Sequence, residues 1–150
     1  MVYHKPADAS PPGIELYANA FFALRMDYPR RILWLLRSPR EFSAVEDIEG
    51  CIQALARAVP TERRQSLAIL SDLREGPIRV KPALDPAHAR YRTETERGFM
   101  CAAVVVQSAL GKVRAVRLAE ERGGRVAIVE TVEKALAHIA QRRLALVEPR

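Results

Sequence analysis

The chain has 150 residues, 49% of them hydrophobic, a formal net charge of +6 and two cysteines. That length suits one domain that buries roughly two thirds of its unfolded surface without a metal or disulfide framework. No run of about 18 apolar residues occurs, and Met1 to Pro12 lacks the basic, apolar and small-residue layers of a secretory signal, so the expectation is a cytoplasmic protein with no membrane span.

Residues 1–13 are proline-rich and aperiodic, which predicts a flexible leader. Leu16 to Leu24 and Arg31 to Arg37 are apolar and aromatic runs separated by Arg25-Met-Asp-Tyr-Pro-Arg30, a pattern that predicts a β-hairpin. Its edge has only Arg30, Arg31 and Arg37 as gatekeepers, which leaves room for a homodimer through strand pairing. Ser43 and Glu46 form a Ser-x-x-Glu capping pattern, and Ile48, Cys51, Ile52, Leu55 and Val59 follow at helical spacing. Pro60 ends that helix, and Glu62 to Gln65 lead into a strand from Ser66 to Asp72.

Asp85-Pro86 opens a second helix that runs to about Arg97, with Asp85 as the cap. Its apolar residues are few (Ala87, Ala89, Tyr91, with Phe99 beyond), so a large solvated face is expected. Cys101 to Gln107 is a continuous β-branched run of the kind buried on both faces of a parallel sheet. A third helix is predicted from Ser108 to Gly123-Gly124, where the glycines act as a C-cap, and Arg125 to Val129 is the last strand. Thr131 caps a fourth helix whose Val132, Ala135, Leu136 and Ile139 form one stripe, and 144–150 is a tail. The order is ββαβαβαβα: an α/β domain over 14–143 with an N-terminal hairpin and a mixed central sheet.

Enzymatic constellations are missing from this pattern. His4, His88 and His138 fall in the leader and on two helix surfaces, none placed to activate Ser71 or Ser108. No Cys-x-x-Cys, His-x-x-x-His or His-Glu-x-x-His spacing occurs, and no Walker loop or Gly-x-Gly-x-x-Gly, so neither a metal nor a nucleotide cofactor is expected. Asp72, at a strand end, lacks the acidic pair after the first strand that a receiver-type phosphoacceptor needs. Cys51 and Cys101 sit in an apolar helix face and at the head of an apolar strand, the usual place of small buried thiols.

The element order, the segment Leu67-Ala-Ile-Leu-Ser-Asp-Leu-Arg74 and the later Val104 to Leu118, followed by Val126 to Glu130 and an Ala-rich amphipathic helix, resemble bacterial STAS domains of the SpoIIAA-like, or STAS/SEC14-type, branch over about 14–143. The resemblance implies a switchable docking module, the best known being anti-sigma factor antagonists phosphorylated in an Asp-Ser-x-Gly-like turn after the central strand. Laid on this chain, that turn falls near Val80-Lys-Pro-Ala-Leu84, which has no hydroxyl, and Ser71, Thr93 and Thr95 lie in regular elements to either side.

The expectation is therefore a non-catalytic regulatory or scaffolding module that docks a protein partner without the usual phosphoacceptor. Its contact surface is expected at Asp72, Arg74, Glu75, Arg79 and Lys81, outside the carboxyl end of a central strand, where open α/β sheets place their sites. Ser108, Gly111 and Lys112, at a helix start, form a generic anion seat. The alternative is an anion, lipid or nucleic-acid binder. Residues 1–60 carry seven basic and seven acidic groups, 61–100 eight and six, and 101–150 nine and five, so the basic excess is diffuse and C-terminal. Aromatics to stack bases are few, which weighs against nucleic acid.

Overall fold

The computed structural model describes residues 12–77, 81–107, 113 and 126–147. Six described strands form one sheet in sequence order: β1 (Ile14–Ala18), β2 (Phe22–Asp27), β3 (Ile32–Arg37), β4 (Ala68–Asp72), β5 (Cys101–Val105) and β6 (Val126–Val129). The first three are antiparallel, and β3 to β6 are parallel. Helix α1 (Val45–Ala58) joins β3 to β4, α2 (Asp85–Glu96) joins β4 to β5, and α3 (Val132–Val147) follows β6. The helix predicted from Ser108 to Gly123-Gly124 lies outside the described residues, Val113 apart.

Strand alternation divides the core in two. Leu33 and Leu35 of β3 face α1 and α2 together with Phe22, Leu24, Ile48, Cys51, Leu55, Ile69 and Tyr91. Ile32, Trp34 and Leu36 face the other way, with Leu70, Ala103, Val105 and the α3 residues Ala135 and Ile139. A one-residue slip in any central strand would exchange these sets, so the register is pinned by burial on both faces. The stripe Val132, Ala135, Leu136 and Ile139 lies on this second core as its spacing predicts, and Thr131 Oγ1 accepts from the Lys134 amide at 3.2 Å as a cap.

Several boundaries differ from expectation, each for a local reason. The apolar run Leu16 to Leu24 is two strands rather than one, because Asn19 Oδ1 accepts from the amides of Phe21 (2.8 Å) and Phe22 (2.9 Å) and turns the chain inside the run. The hairpin is thus the second half of a three-stranded meander, and its edge is β1, not the strand carrying Arg37. Residues Arg25 to Asp27 belong to β2 and the turn is Tyr28 to Arg31, with Arg31 at φ 55°. The carboxylate that caps α1 is Asp47, not Glu46: its Oδ2 accepts from Ser43 N and Oγ, both at 2.9 Å, and from Ala44 N at 3.1 Å. Burial disfavours that charge, but the hydrogen bonds outweigh it and hold Asp47 below the ordinary carboxylate range. Thr61–Ser66 forms a 3-10 turn before β4. Asp85 lies inside the first turn of α2 rather than capping it, and α3 continues past Arg143 to Val147.

Candidate functional site

Parallel strands β3, β4 and β5 end together, with Asp72 between Leu36 and Val105. The side chain that organises this carboxyl end is Arg37, the last residue of β3, which faces α1 and α2 and is 6% exposed. Its Nη1 donates to Phe21 O (2.7 Å) and Ser38 O (3.2 Å), its Nη2 to Arg40 O (3.1 Å), and its guanidinium lies 4.4 Å from the centre of the Phe42 ring. A buried charge needs its lost water replaced, and here three carbonyl dipoles and a ring face do so. Desolvation still lowers the Arg37 pKa from its ordinary value. Ser38 locks the same corner, its Oγ donating to Ala20 O at 2.6 Å.

The loop after β4 is built on this pedestal. Asp72 is buried, and Arg74 grips it in a bidentate pair, Nε to Oδ1 at 2.9 Å and Nη2 to Oδ2 at 2.8 Å, while the Arg74 amide donates to Oδ1 at 3.1 Å. Hydrogen bonding to Asp72 raises the Arg74 pKa further. Leu73 N donates to Val105 O (2.9 Å), which extends the sheet ladder by one step, and Gly76 N closes a turn onto Leu73 O (3.0 Å). Gly76 rests against Arg37: a Cβ there would stand 3.2 Å from the Arg37 Cβ. The loop re-enters through a 3-10 turn, Pro82–Leu84, in which Leu84 N donates to Lys81 O (2.8 Å) and the Leu84 side chain is buried.

Of the residues expected to form a contact surface, Asp72 is therefore internal, Arg74 covers it with one edge in solvent, and Glu75 and Lys81 are exposed. Arg79 lies outside the described residues, as do Ser108, Gly111 and Lys112. Ser71 is buried within β4, and on α2 the hydroxyls of Thr93 and Thr95 donate to Ala89 O and Arg92 O.

One residue assigned to a helix surface belongs elsewhere. His88, in the second turn of α2, is half-buried, its ring 5.8 Å from those of both Phe42 and Tyr91, and its Nδ1 lies 3.0 Å from Arg92 Nη1. Burial, then the charges of Arg92 and Arg37, lower its pKa to about 4, so the imidazole is neutral at physiological pH. Tyr91, wholly enclosed beneath it, is raised by the same desolvation, and the buried Cys51 thiol is pushed up to about 11 and stays protonated. Burial likewise raises Cys101. Phe42 also stands 5.1 Å from the Phe21 ring, and no local sequence pattern connects these residues to α2. Among the described residues no three His, Cys, Asp or Glu side chains converge as a metal site would require. No described helix is long and apolar enough to cross a membrane.

No family model and no curated protein matches the chain. A similar solved structure is that of an uncharacterized protein of the DUF3478 family with a SpoIIAA-like fold, from Shewanella loihica PV-4. It is 16% identical, the match covers 82% of this chain and 98% of that one, and the TM-score is 0.60. The fold is therefore SpoIIAA-like, as the sequence resemblance implied.

Proposed function

We propose that this domain is a non-catalytic docking module whose contact surface is the loop from Asp72 to Lys81 with the start of α2. The observation that carries this reading is that the described start of the loop, Asp72 to Pro77, is fixed from within while exposed charges stand on it and at Lys81. Arg74 holds Asp72 bidentately and Gly76 rests on Arg37, whereas Glu75 and Lys81 remain exposed. A preordered loop loses less entropy on association, which favours recognition by a few side chains. In this reading Asp72 positions the start of the loop, and Arg74, Glu75 and Lys81 make contact; Arg79, expected from the sequence to join them, lies outside the described residues. The stretch from Asp72 to Leu84 contains no hydroxyl, so docking is constitutive rather than gated by phosphate.

The test is affinity capture from cells that express the protein, comparing wild type with the charge-reversed pair Glu75→Arg and Lys81→Glu. Both positions are exposed, so the melting temperature should hold while the specifically retained protein is lost. Undiminished retention by the variant would move the contact surface away from this loop.

A further inference from the structure

At the amino end of the sheet one guanidinium ties α3 to the starts of β3 and β5. The residues just before β3, β4 and β5 continue the ladder there, with Ala68 N donating to Arg31 O (3.0 Å) and Met100 N to Leu67 O (2.9 Å). Across them lies Arg143, in the last turns of α3. Its Nη1 donates to Arg30 O, its Nη2 to Arg31 O at 2.6 Å and its Nε to Met100 Sδ at 3.4 Å. The fork is rigid, so these contacts move together. Little else holds this part of the helix: Ile139 is its last buried residue among those described, and Leu144, Ala145 and Leu146 are exposed. Met100 is also the sulfur that an oxidant reaches most readily among the described residues. Cys51 and Met26 are enclosed in the first core at 0% and 5% exposure and Cys101 is 8% exposed, whereas Met100 is half-buried. Burial also keeps both thiols in their unreactive protonated form.

We propose that Met100 is a site of oxidation by peroxide and that its sulfoxide releases the end of α3 from the sheet. In the step a lone pair of Sδ attacks one peroxide oxygen and the O–O bond breaks. The departing hydroxide takes the proton of the transferred oxygen and becomes water, so the sulfur loses two electrons and the peroxide gains them. The product places a strongly polar oxygen where a weak acceptor stood. A separation of 3.4 Å leaves no room for an atom between Sδ and Nε. An oxygen on that side therefore pushes Arg143 back to about 2.9 Å from itself, and the rigid fork leaves the carbonyls of Arg30 and Arg31. An oxygen turned the other way would be buried among apolar side chains of the second core, against which Met100 packs, so the side of Arg143 is favoured. The site is independent of the docking loop, which lies at the carboxyl end.

The test is treatment of the full chain with hydrogen peroxide, followed by peptide mapping and amide hydrogen exchange. Met100 should gain one oxygen before Met26 does, and the amides of 140–147 should lose about tenfold in protection, the equivalent of one or two ordinary hydrogen bonds. Methionine sulfoxide reductase should restore both the mass and the protection. Met100→Leu should keep the untreated protection, because the two carbonyl contacts remain, and should not respond to peroxide. Arg143→Ala should show the loss before peroxide and no further loss after it. If Met100→Leu fails to fold, reversal by the reductase on the wild-type chain tests the same point. Oxidation of Met26 as fast as Met100 would overturn the proposal, as would an oxidised chain whose α3 keeps its protection. Peroxide-dependent loosening that persists in Met100→Leu would overturn it in favour of the neighbouring thiol, Cys101.

Discussion

Among the described residues, each end of the sheet contains one buried arginine wired to backbone, and the two solve different problems. Arg37, at the carboxyl end, donates to Phe21, Ser38 and Arg40 and lies on Phe42. Arg64, at the amino end and 2% exposed, donates to Val59 O (2.9 Å), Glu94 O (3.2 Å) and Arg97 O (3.0 Å) and lies 4.9 Å from the centre of the Phe99 ring. Neither has a hydrogen-bonded carboxylate among these partners. The acceptors explain the difference. Val59 and Arg97 are the C-caps of α1 and α2, and Glu94 lies in the last turn of α2, so Arg64 satisfies carbonyls that every helix end leaves open and sits at the negative end of two helix dipoles. Parallel strands joined by helices bring those helix ends together at the amino edge, so the fold itself creates a place for a buried cation. Gly98 completes the junction at φ +82°, where a Cβ would stand 3.1 Å from Thr61 Cγ2. Arg37 has no helix end to neutralise. Its acceptors are loop carbonyls, and what it supports is the surface on which the β4 loop rests.

The sharpest way to break this comparison is to truncate each arginine. Arg64→Ala leaves three carbonyls without their donor and removes the cation from two helix ends, which should cost about 4 kcal/mol in urea unfolding. Arg37→Ala loses the same number of hydrogen bonds without the dipole contribution and should cost about 3 kcal/mol. Equal or reversed losses would mean that the helix ends contribute nothing special at the amino edge. Arg74→Ala comes next, at about 2 kcal/mol, because it takes the guanidinium from a buried carboxylate, although Arg74 itself is partly solvated and screened. Asp72→Asn should cost less than Arg74→Ala, since the amide keeps an acceptor and leaves no buried charge.

The sequence was most legible where a pattern repeats within one element. The α1 positions Ile48, Cys51 and Leu55 are buried, Cys101 to Val105 is a central strand, and the α3 stripe faces the second core. What escaped was decided by single side chains meeting distant backbone. The break between β1 and β2 depends on Asn19 bonding amides two and three residues on, inside a run whose hydrophobicity reads as continuous. The cap of α1 fell to Asp47 rather than its neighbour Glu46, a one-residue choice between two carboxylates. Arg37 and Arg64 look like surface charges in sequence, and only the convergence of carbonyls up to 33 positions away makes their burial tolerable. At the candidate site, position in the fold was readable from the strand-to-loop junction, but the bidentate hold of Arg74 on Asp72 was not. Two charges two residues apart more often point apart than grip each other.

The smallest expected effect separates the two ends by pH. His88 stands at the carboxyl end with a native pKa of about 4, against an ordinary value of 6.5, because burial and the charges of Arg92 and Arg37 oppose its protonation. Above pH 6.5 both folded and unfolded chains hold it neutral, and it contributes nothing to the pH dependence. Between pH 6.5 and 4 the unfolded chain binds a proton that the folded chain refuses, so stability falls through this window and levels off below it. The loss should be about 1.5 kcal/mol, less than the full shift implies because solvent screens the outer edge of the ring. His88→Gln should flatten that part of the profile. His138, also lowered by burial and by Arg142, supplies a residual slope that the variant retains. Amide hydrogen exchange at pH 5 should locate the effect, with the first turns of α2 losing protection in wild type while the Thr61–Ser66 turn around Arg64 keeps its own. Equal loosening at both ends would show that the His88 cluster and the Arg64 clamp unfold as one unit rather than two.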